Sequence, residues 1–451
     1  MKFVDRLEEL KRLSAALNSA TPSFVVVYGR RRLGKSTLIK KVLSPADVYY
    51  MAGQTERSHQ IELLAKEIGL RFEGFDRVVY PHWNALFEAL NFRAQERFTL
   101  CLDEFPYMAK SSPELPSLLQ KLIDSKTLRY NIVLCGSSQQ LMQGLFLDAA
   151  SPLYGRADQI LKLSPIPVSY LREVLVCPAQ EAIEEYAVWG GVPRYWEIRL
   201  QSSSLNEAIK YNLLNAQGLL FDEPYRLFID DMRDIVQAAT LLSFIGNGVN
   251  RLSEIAARTN KPATSLSGPL DNLITLGYIQ REIPFGDSPR NSKKGLYKVA
   301  DPFMDFYFRF VVPNRSLIEL GRTEVVVEEV AQRFNAYVSM HWGNMCRRAI
   351  SGQVLMGKRY GLASRWWGNI LRSQQMEIDV VAESTDGKHL LVGECKWTAH
   401  ENADQLFKQL LEKANKLPFA ANKEIVPVLF LKNHEKAAEN ILLPERVIEM
   451  I

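Results

Sequence analysis

The residue types best suited to chemistry lie in the stretch 29–36, which reads G-R-R-R-L-G-K-S. An apolar run, 23–28, precedes it, and a stretch compatible with a helix, 37–42, follows it. Glycines let the backbone curl so that successive N–H groups point at one anion, and the helix presents its positive end to the same anion. The pattern therefore predicts a loop that binds nucleotide phosphates. Its predicted contacts are Gly29, Arg30, Arg31, Arg32, Leu33, Gly34, Lys35, Ser36 and Thr37.

Four side chains in this half of the chain have predicted catalytic or metal-binding roles. Lys35 would contact the β- and γ-phosphates, and the hydroxyl of Ser36 would bind Mg²⁺. The apolar run 97–104 ends in Asp103 and Glu104, and parallel strands deliver such residues to a nucleotide at the carboxyl edge of a sheet. Asp103 would hold Mg²⁺, and Glu104 would orient and polarise the attacking water. The alternative for both carboxylates is the start of a helix, where Asp and Glu are also favoured.

A further apolar run, 130–135, is followed by the sequence G-S-S. In this position the hydroxyl of Ser137 is a candidate sensor of the γ-phosphate. The same three residues are also typical of an ordinary turn.

A second constellation lies near the carboxyl end, in the apolar runs 376–382 and 390–397. The linking sequence S-T-D-G predicts a turn, so the two runs should pair as a hairpin. Strand periodicity places Glu394 and Lys396 on one face, and Asp379 can lie across from them. Two carboxylates, Asp379 and Glu394, with a lysine can hold Mg²⁺ and activate water for phosphodiester cleavage. An ordinary cross-strand salt bridge would produce the same pattern.

Basic side chains surround the tryptophan pair 366–367, a combination that suits nucleic acid. The alternative is a pair of buried tryptophans beside solvated basic groups. The basic residues are Arg347, Arg348, Lys358, Arg359, Arg365 and Arg372.

The elements that position these residues predict an α/β protein of several modules, because 451 residues are too many for one core. Strands and helices alternate through 1–165, which predicts a parallel sheet covered by helices. Residues 166–235 predict a helical lid. Residues 236–312 predict a winged helix, with helices 252–259 and 263–276 and a hairpin of strands 278–283 and 296–299. Residues 313–451 predict a mixed α/β domain around the second constellation.

The loop 286–295 of the predicted wing carries three cations, Arg290, Lys293 and Lys294, which we call the wing cations. Clustered on one loop, they could reach DNA phosphates. Winged helices serve equally in protein contacts, and a solvated loop would have the same composition.

Composition narrows the class of protein. A hydrophobic content of 47% with 24% charged residues is typical of a soluble globular chain. The formal charge of +4 is too small to demonstrate a nucleic-acid partner. The five cysteines are scattered without a C-x-x-C pattern, and the six histidines match no metal-ligand spacing. The sequence has no apolar run of membrane-spanning length and no signal-peptide pattern, so we expect a cytoplasmic protein without membrane contact.

Five stretches in order resemble the archaeal-type ATPase family, a branch of the STAND class of P-loop NTPases related to AAA+ proteins. They are F-V-D-R at 3–6, the loop 29–36, L-D-E at 102–104, L-Y-G-R at 153–156 and G-G-V-P at 190–193. The resemblance implies a nucleotide, ATP or ADP, held between the sheet and a helical lid. It also implies that Pro193 lies near the base of the nucleotide and that Arg156 is directed at the γ-phosphate. A surface arginine after a turn is the alternative for Arg156.

The C-terminal part is similar to a domain that often follows this ATPase and is assigned to the PD-(D/E)XK nuclease-like superfamily. The similar stretches are R-W-W at 365–367, E-I-D at 377–379 and E-C-K at 394–396. Many members carry a glutamate on the first helix of this fold, whereas 340–347 contain no acidic residue. The departure implies weaker metal binding, with Mn²⁺ better tolerated than Mg²⁺, or DNA binding without cleavage.

Together these patterns predict an ATPase in which ATP binding and hydrolysis rearrange a winged helix and a nuclease-like domain, with DNA as partner. The alternative is an ATP-driven switch that binds protein partners and uses the C-terminal fold as a scaffold. A homo-oligomer is compatible with both hypotheses.

Overall fold

The structure is a computed structural model, and it describes residues 3–232, 234–290, 292–371, 374–435 and 438–451. Arg372, from the basic set, and Asn291, in the predicted wing loop, lie outside these ranges. The chain forms two compact units, residues 3–165 and residues 166–451. Three of the four predicted modules fall within the second unit, and the module boundaries remain predictions.

The first unit contains a five-stranded parallel sheet in the order β2-β3-β4-β1-β5. Every residue of β1, β3 and β4 is buried, as expected for strands covered by helices on both faces. The strands are β1 Phe24–Tyr28, β2 Val48–Met51, β3 Thr99–Asp103, β4 Asn131–Gly136 and β5 Gln159–Lys162. The predicted parallel α/β architecture is confirmed.

Seven helices cover this sheet, together with a short 3₁₀ turn at Phe75–Arg77. They are α1 Leu7–Leu17, α2 Lys35–Val42, α3 Arg57–Gly69, α4 Trp83–Arg93, α5 Phe105–Ser111, α6 Leu115–Asp124 and α7 Gln139–Phe146. The apolar faces of α3 and α4 pack with the sheet in one core, which includes Leu64, Leu86 and Leu102. This packing holds the carboxyl ends of the strands, where the predicted catalytic residues lie.

The second unit begins with helices, as predicted for 166–235. They are α8 Val168–Leu175, α9 Ala179–Trp189, α10 Pro193–Arg199, α11 Leu205–Asn212 and α12 Glu223–Asp231, followed by α13 Ile235–Gly246. The sequence G-G-V-P separates α9 from α10, so the predicted bend is confirmed.

The two helices and the hairpin of the predicted winged helix are confirmed. They are α14 Leu252–Thr259, α15 Ala263–Thr275 and the antiparallel strands β6 Ile279–Glu282 and β7 Leu296–Val299. Asn260, the residue after α14, adopts the left-handed conformation, and so does Gly277, at φ +75°, after α15. The next helices are α16 Pro302–Phe306, a π-helical turn Tyr307–Val311, α17 Arg315–Glu319 and the long α18 Thr323–Ile350.

The C-terminal part contains a mixed five-stranded sheet in the order β10-β11-β12-β13-β14. Its elements are a small hairpin β8 Val354–Leu355 and β9 Lys358–Arg359, then β10 Ser364–Leu371, β11 Gln374–Glu383, β12 His389–Lys396, α19 Ala403–Ala414, β13 Glu424–Leu431, β14 Ile441–Leu442 and α20 Pro444–Glu449. Strands β11 and β12 pair antiparallel, which confirms the predicted hairpin, and β12 pairs parallel with β13.

A β-bulge interrupts the pairing of β10 with β11. Ser364 pairs with Val381 and Trp366 with Ile378, so two residues of β11 lie opposite one residue of β10. Ile378 and Val381, three positions apart, consequently reach the same core, which strict alternation would not allow. Bulges of this kind redirect side chains next to functional sites, and this one contains Asp379.

Among the helices in the described ranges, none is long and apolar enough to cross a membrane.

Candidate nucleotide and ion-pair sites

The loop after β1 has the curled backbone that anion binding requires. Gly29 has a φ of +151°, and a Cβ there would lie 2.6 Å from the carbonyl oxygen of Leu163, so only glycine fits. Arg32, at φ 68°, and Gly34, at φ 85°, both adopt the left-handed conformation, and α2 begins immediately afterwards at Lys35. The N-terminus of α2 thus opens onto the loop, as in phosphate-binding sites.

Lys35 is buried within this loop. Its ammonium donates to the carbonyl oxygens of Gly29, at 2.9 Å, and Arg30, at 3.0 Å. These contacts hold the charge inside the curve of the backbone, where phosphate oxygens would be competing acceptors.

Asp103, at the end of β3, lies next to Ser36. The Ser36 hydroxyl donates to Asp103 Oδ2 at 2.6 Å, the Tyr49 hydroxyl donates to the same oxygen at 2.5 Å, and the N–H of Glu104 donates to Oδ1 at 2.9 Å. Burial by itself raises the pKa of Asp103, but hydrogen bonds from Cys135, Ser36 and Tyr49 outweigh it and the pKa lies below its usual range. Asp103 is therefore ionised at neutral pH. A hydroxyl and a carboxylate in contact are suitable oxygen donors for Mg²⁺, so Ser36 and Asp103 fit that ion.

Glu104 has an unusual backbone, with φ 53° and ψ 41°. A non-glycine residue in this left-handed region is uncommon and is concentrated at functional sites. Its carboxylate accepts the Ser137 hydroxyl at 2.8 and 2.9 Å and the Ser137 N–H at 3.2 Å. The fold thus brings the predicted water-activating residue and the predicted sensor together.

Arg31 extends this network across the loop. Its Nε donates to the Ser137 hydroxyl at 3.3 Å, and its Nη2 donates to the Tyr107 hydroxyl at 2.6 Å. Tyr49 and Tyr107 were not predicted as site residues. Both are aromatic residues with a hydroxyl near a strand end, which is the signal that the sequence offers. Their partners depend on which strands are neighbours, and a single sequence does not predict that order.

Arg156 and Pro193, which were also predicted to contact the nucleotide, belong to other elements. Arg156 forms a bidentate ion pair with Asp124, the last residue of α6, with Nε–Oδ1 and Nη2–Oδ2 distances of 2.9 Å each. Pro193 is the first residue of α10 in the second unit, and the Trp196 indole donates to Gly190 at the preceding bend. The roles of Arg156 and Pro193 at a nucleotide remain predictions.

In the C-terminal sheet, Asp379, Glu394 and Lys396 come together on β11 and β12. Asp379 Oδ2 accepts the N–H of Cys395 at 2.9 Å. Glu394 accepts the Lys396 ammonium at Oε1 and the Lys413 ammonium, from α19, at Oε2, both at 2.9 Å. Lys413 is the member of this group that sequence analysis did not predict.

These carboxylates also differ in pKa. Burial and the charge of Glu394 raise the pKa of Asp379. Burial acts in the same direction on Glu394, but hydrogen bonds from Lys396 and Lys413 outweigh it and lower the pKa of that group. Within the described part of the chain, no group of three or more His, Cys, Asp or Glu side chains could hold a metal ion. In this arrangement the residues present do not fit a divalent cation, because ammonium groups occupy both oxygens of Glu394.

Part of the basic and aromatic set is buried or paired within the protein, whereas Arg348 and Arg359 are exposed. Arg347 and Arg365 both pair with Glu282 of β6, at 3.2 and 3.7 Å. Trp366 is buried in the core, whereas Arg365 lies over the Trp367 ring at 5.3 Å. These observations favour the alternative of buried tryptophan beside paired arginine for this part of the set.

The wing cations, in contrast, are exposed. Arg281 donates to the carbonyl oxygens of Pro289, at 2.9 Å, and Ser292, at 2.6 Å, and so ties the two sides of their loop together. Within the described ranges, Lys294 is the one wing cation with an ion-pair contact, which it makes to Asp287 at 3.9 Å.

A parallel sheet with a curled glycine loop after its first strand, and a carboxylate pair after a neighbouring strand, defines the class of P-loop ATPases. Residues 3–196 match a protein family described as an ATPase domain predominantly from Archaea. Residues 307–407 match a second family, described as archaeal and bacterial proteins of unknown function. The chain thus combines an N-terminal archaeal-type ATPase domain with a C-terminal domain of the second family, as the sequence patterns predicted.

Several known proteins share sequence or fold with this chain. An uncharacterized protein of Methanocaldococcus jannaschii is 29% identical over 430 residues, which cover 91% of this chain and 92% of the relative. An uncharacterized ATP-binding protein of the same organism is 49% identical over 41 residues, 9% of this chain and 70% of the relative. A Walker-type ATPase of Pyrococcus abyssi has a similar fold, with a TM-score of 0.54 and 23% identity, over 68% of this chain and 96% of that one.

Proposed function

We propose that the protein binds ATP with Mg²⁺, hydrolyses it to ADP, and uses the cycle to control contact with DNA. The observation that carries the ATPase part is the connected set of Ser36, Asp103, Glu104 and Ser137 beside the buried ammonium of Lys35. The matching family and the name of the relative matched over 41 residues support nucleotide binding.

Each member of this set would have a distinct task. Lys35 would exchange its loop carbonyls for phosphate oxygens, and loop N–H groups would bind the same phosphates. Ser36 and Asp103 would hold Mg²⁺, which neutralises developing charge on the transferred phosphoryl group. Glu104 would accept a proton from, or orient, the attacking water. The Ser137 hydroxyl donates to the Glu104 carboxylate and would couple the position of that carboxylate to the γ-phosphate.

The DNA part of the proposal is supported by the exposed wing cations on a hairpin next to α14 and α15. A folded loop with exposed positive charge can contact phosphates without reading sequence. The experiment is ATP turnover measured together with a mobility shift of nonspecific duplex DNA, at several salt concentrations and with ATP or ADP. Retardation that depends on the bound nucleotide would support coupling.

The same experiment separates the alternative function. If ATP is hydrolysed but duplex DNA is never retarded, the protein is better explained as an ATP-driven switch for protein partners. The internal pairing of Arg347 and Arg365 with Glu282 favours that alternative, because it removes cations from a DNA-binding surface. Light scattering with and without ATP would test self-association.

Metal-dependent DNA cleavage is a second candidate for the C-terminal domain. The observation in its favour is that Asp379, Glu394 and Lys396 meet on neighbouring strands. The observation against it is that Lys413 also pairs with Glu394. Plasmid relaxation with Mg²⁺ or Mn²⁺, with and without ATP, is the test. Nicking that disappears in Asp379→Ala would establish cleavage, and intact but retarded DNA would leave a DNA-binding domain.

A further inference from the structure

The carboxylate of Glu394 lies between two ammonium groups. Its Oε1 is 2.9 Å from Lys396 Nζ and its Oε2 is 2.9 Å from Lys413 Nζ, so each oxygen has its own cation. The Glu394 side chain is only 12% exposed, whereas the lysines are 34% and 35% exposed. Glu394 is thus less exposed to solvent than either of the cations that contact its oxygens.

Helix geometry explains why Lys413 reaches this place. Leu406 and Leu410 of α19 pack in the core with Val392 of β12. Lys413 is seven residues after Leu406 and three after Leu410, so helical spacing puts it on the same face of α19. The face of α19 that packs on the sheet therefore ends in Lys413. Glu394 lies two residues after Val392, on the same face of β12, and Lys413 contacts its carboxylate.

The charges of the group cancel. Asp379 and Glu394 contribute two negative charges when both are ionised, and Lys396 and Lys413 contribute two positive charges. One oxygen of Asp379 is also occupied by the N–H of Cys395. Divalent cations are bound by ionised carboxylate oxygens, and their affinity rises with the number of such charges. A divalent cation entering this group would meet no net negative charge from these four side chains, and each oxygen of Glu394 already accepts an ammonium group.

We propose that Lys413 serves as an internal cation that excludes divalent metals from the nuclease-like fold, and that it is the residue determining whether this domain can bind a metal. Lys396 alone would leave one oxygen of Glu394 without a cation and would leave the group with a net charge of −1. Removal of Lys413 should then create a site for Mn²⁺, whose coordination requirements are less strict than those of Mg²⁺. This inference depends neither on ATP hydrolysis nor on DNA binding.

The test is Mn²⁺ binding to the full chain without nucleotide, measured from the electron paramagnetic resonance signal of free Mn²⁺. Lys413→Gln should bind one more Mn²⁺ than the wild type, because a carboxylate oxygen of Glu394 and one negative charge become available. Lys413→Arg, which keeps the charge, should behave as the wild type. Lys413→Gln combined with Glu394→Gln should return to the wild-type count, which assigns the new ion to this site.

Thermal unfolding should show that each variant is folded. If Lys413→Gln fails to fold, Lys413→Met keeps the length and apolar stem of the side chain and takes its place. Wild-type protein that already binds Mn²⁺ in a manner lost in Glu394→Gln would overturn the proposal. A folded Lys413→Gln or Lys413→Met that gains no ion would also overturn it.

Discussion

Replacing Glu104 by glutamine separates ATP binding from ATP hydrolysis. The substitution keeps the size of the side chain, and an amide oxygen can still accept the hydrogen bonds that Ser137 donates at 2.8 to 3.2 Å. The left-handed backbone at Glu104 is followed by Phe105, which is fully buried, so the local fold should persist. The change is therefore confined to one negative charge and one proton acceptor.

The size of the effect follows from the task of the carboxylate. A general base contributes about 10²- to 10⁴-fold to a rate, which is about 2.7–5.5 kcal/mol of transition-state stabilisation. Glu104→Gln should lose turnover on this scale and keep its ATP affinity. Lys35→Ala is the matched opposite, because it removes hydrogen bonds to a charged ligand worth about 1.5–3 kcal/mol, or about ten- to 150-fold in affinity.

The assay is titration calorimetry of ATP with Mg²⁺ for both variants, together with phosphate release at saturating ATP. Thermal unfolding without nucleotide controls for folding. Undiminished ATP affinity in Lys35→Ala would refute the assignment of the loop. Turnover of Glu104→Gln within tenfold of the wild type would refute the role given to Glu104.

Three further perturbations test other parts of the structure. Neutralising the wing cations together should flatten the slope of log K against log salt concentration for DNA binding, by about 0.9 per lost phosphate contact. An unchanged slope in mobility-shift titrations would mean that the loop only faces solvent. Tyr49→Phe removes a donor that lowers the pKa of Asp103, so the acid limb of the pH–rate profile should move to higher pH, and an identical profile would contradict this. The pKa of Asp379 is raised in the folded state, so its ionised form costs stability above that pKa. Asp379→Asn should therefore raise the melting temperature at pH 7. The increase should become smaller as the pH falls towards the ordinary pKa of Asp. A lower melting temperature in Asp379→Asn would disprove the burial argument.

Short-range features of the protein were predictable from the sequence. The phosphate loop depends on glycines at set spacing, and Gly29 and Gly34 adopt the conformations that those positions require. Helices α14 and α15 and the hairpin β11–β12 follow from local periodicity and turn residues. Asp103 and Glu104 were predicted for the same reason, since an apolar strand ending in carboxylates is a local pattern.

The remaining members of both sites were decided by tertiary structure. Tyr49 reaches Asp103 because β2 lies beside β3, and strand order depends on how helices pack on the sheet. Lys413 reaches Glu394 across 19 residues because α19 docks its apolar face on β12. The bulge that contains Asp379 depends on pairing with β10. Such contacts join residues far apart in the chain, and their free energy comes from packing that no local pattern records. The sequence by itself therefore determined which chemistry each segment can perform, and the tertiary structure decided which charges meet.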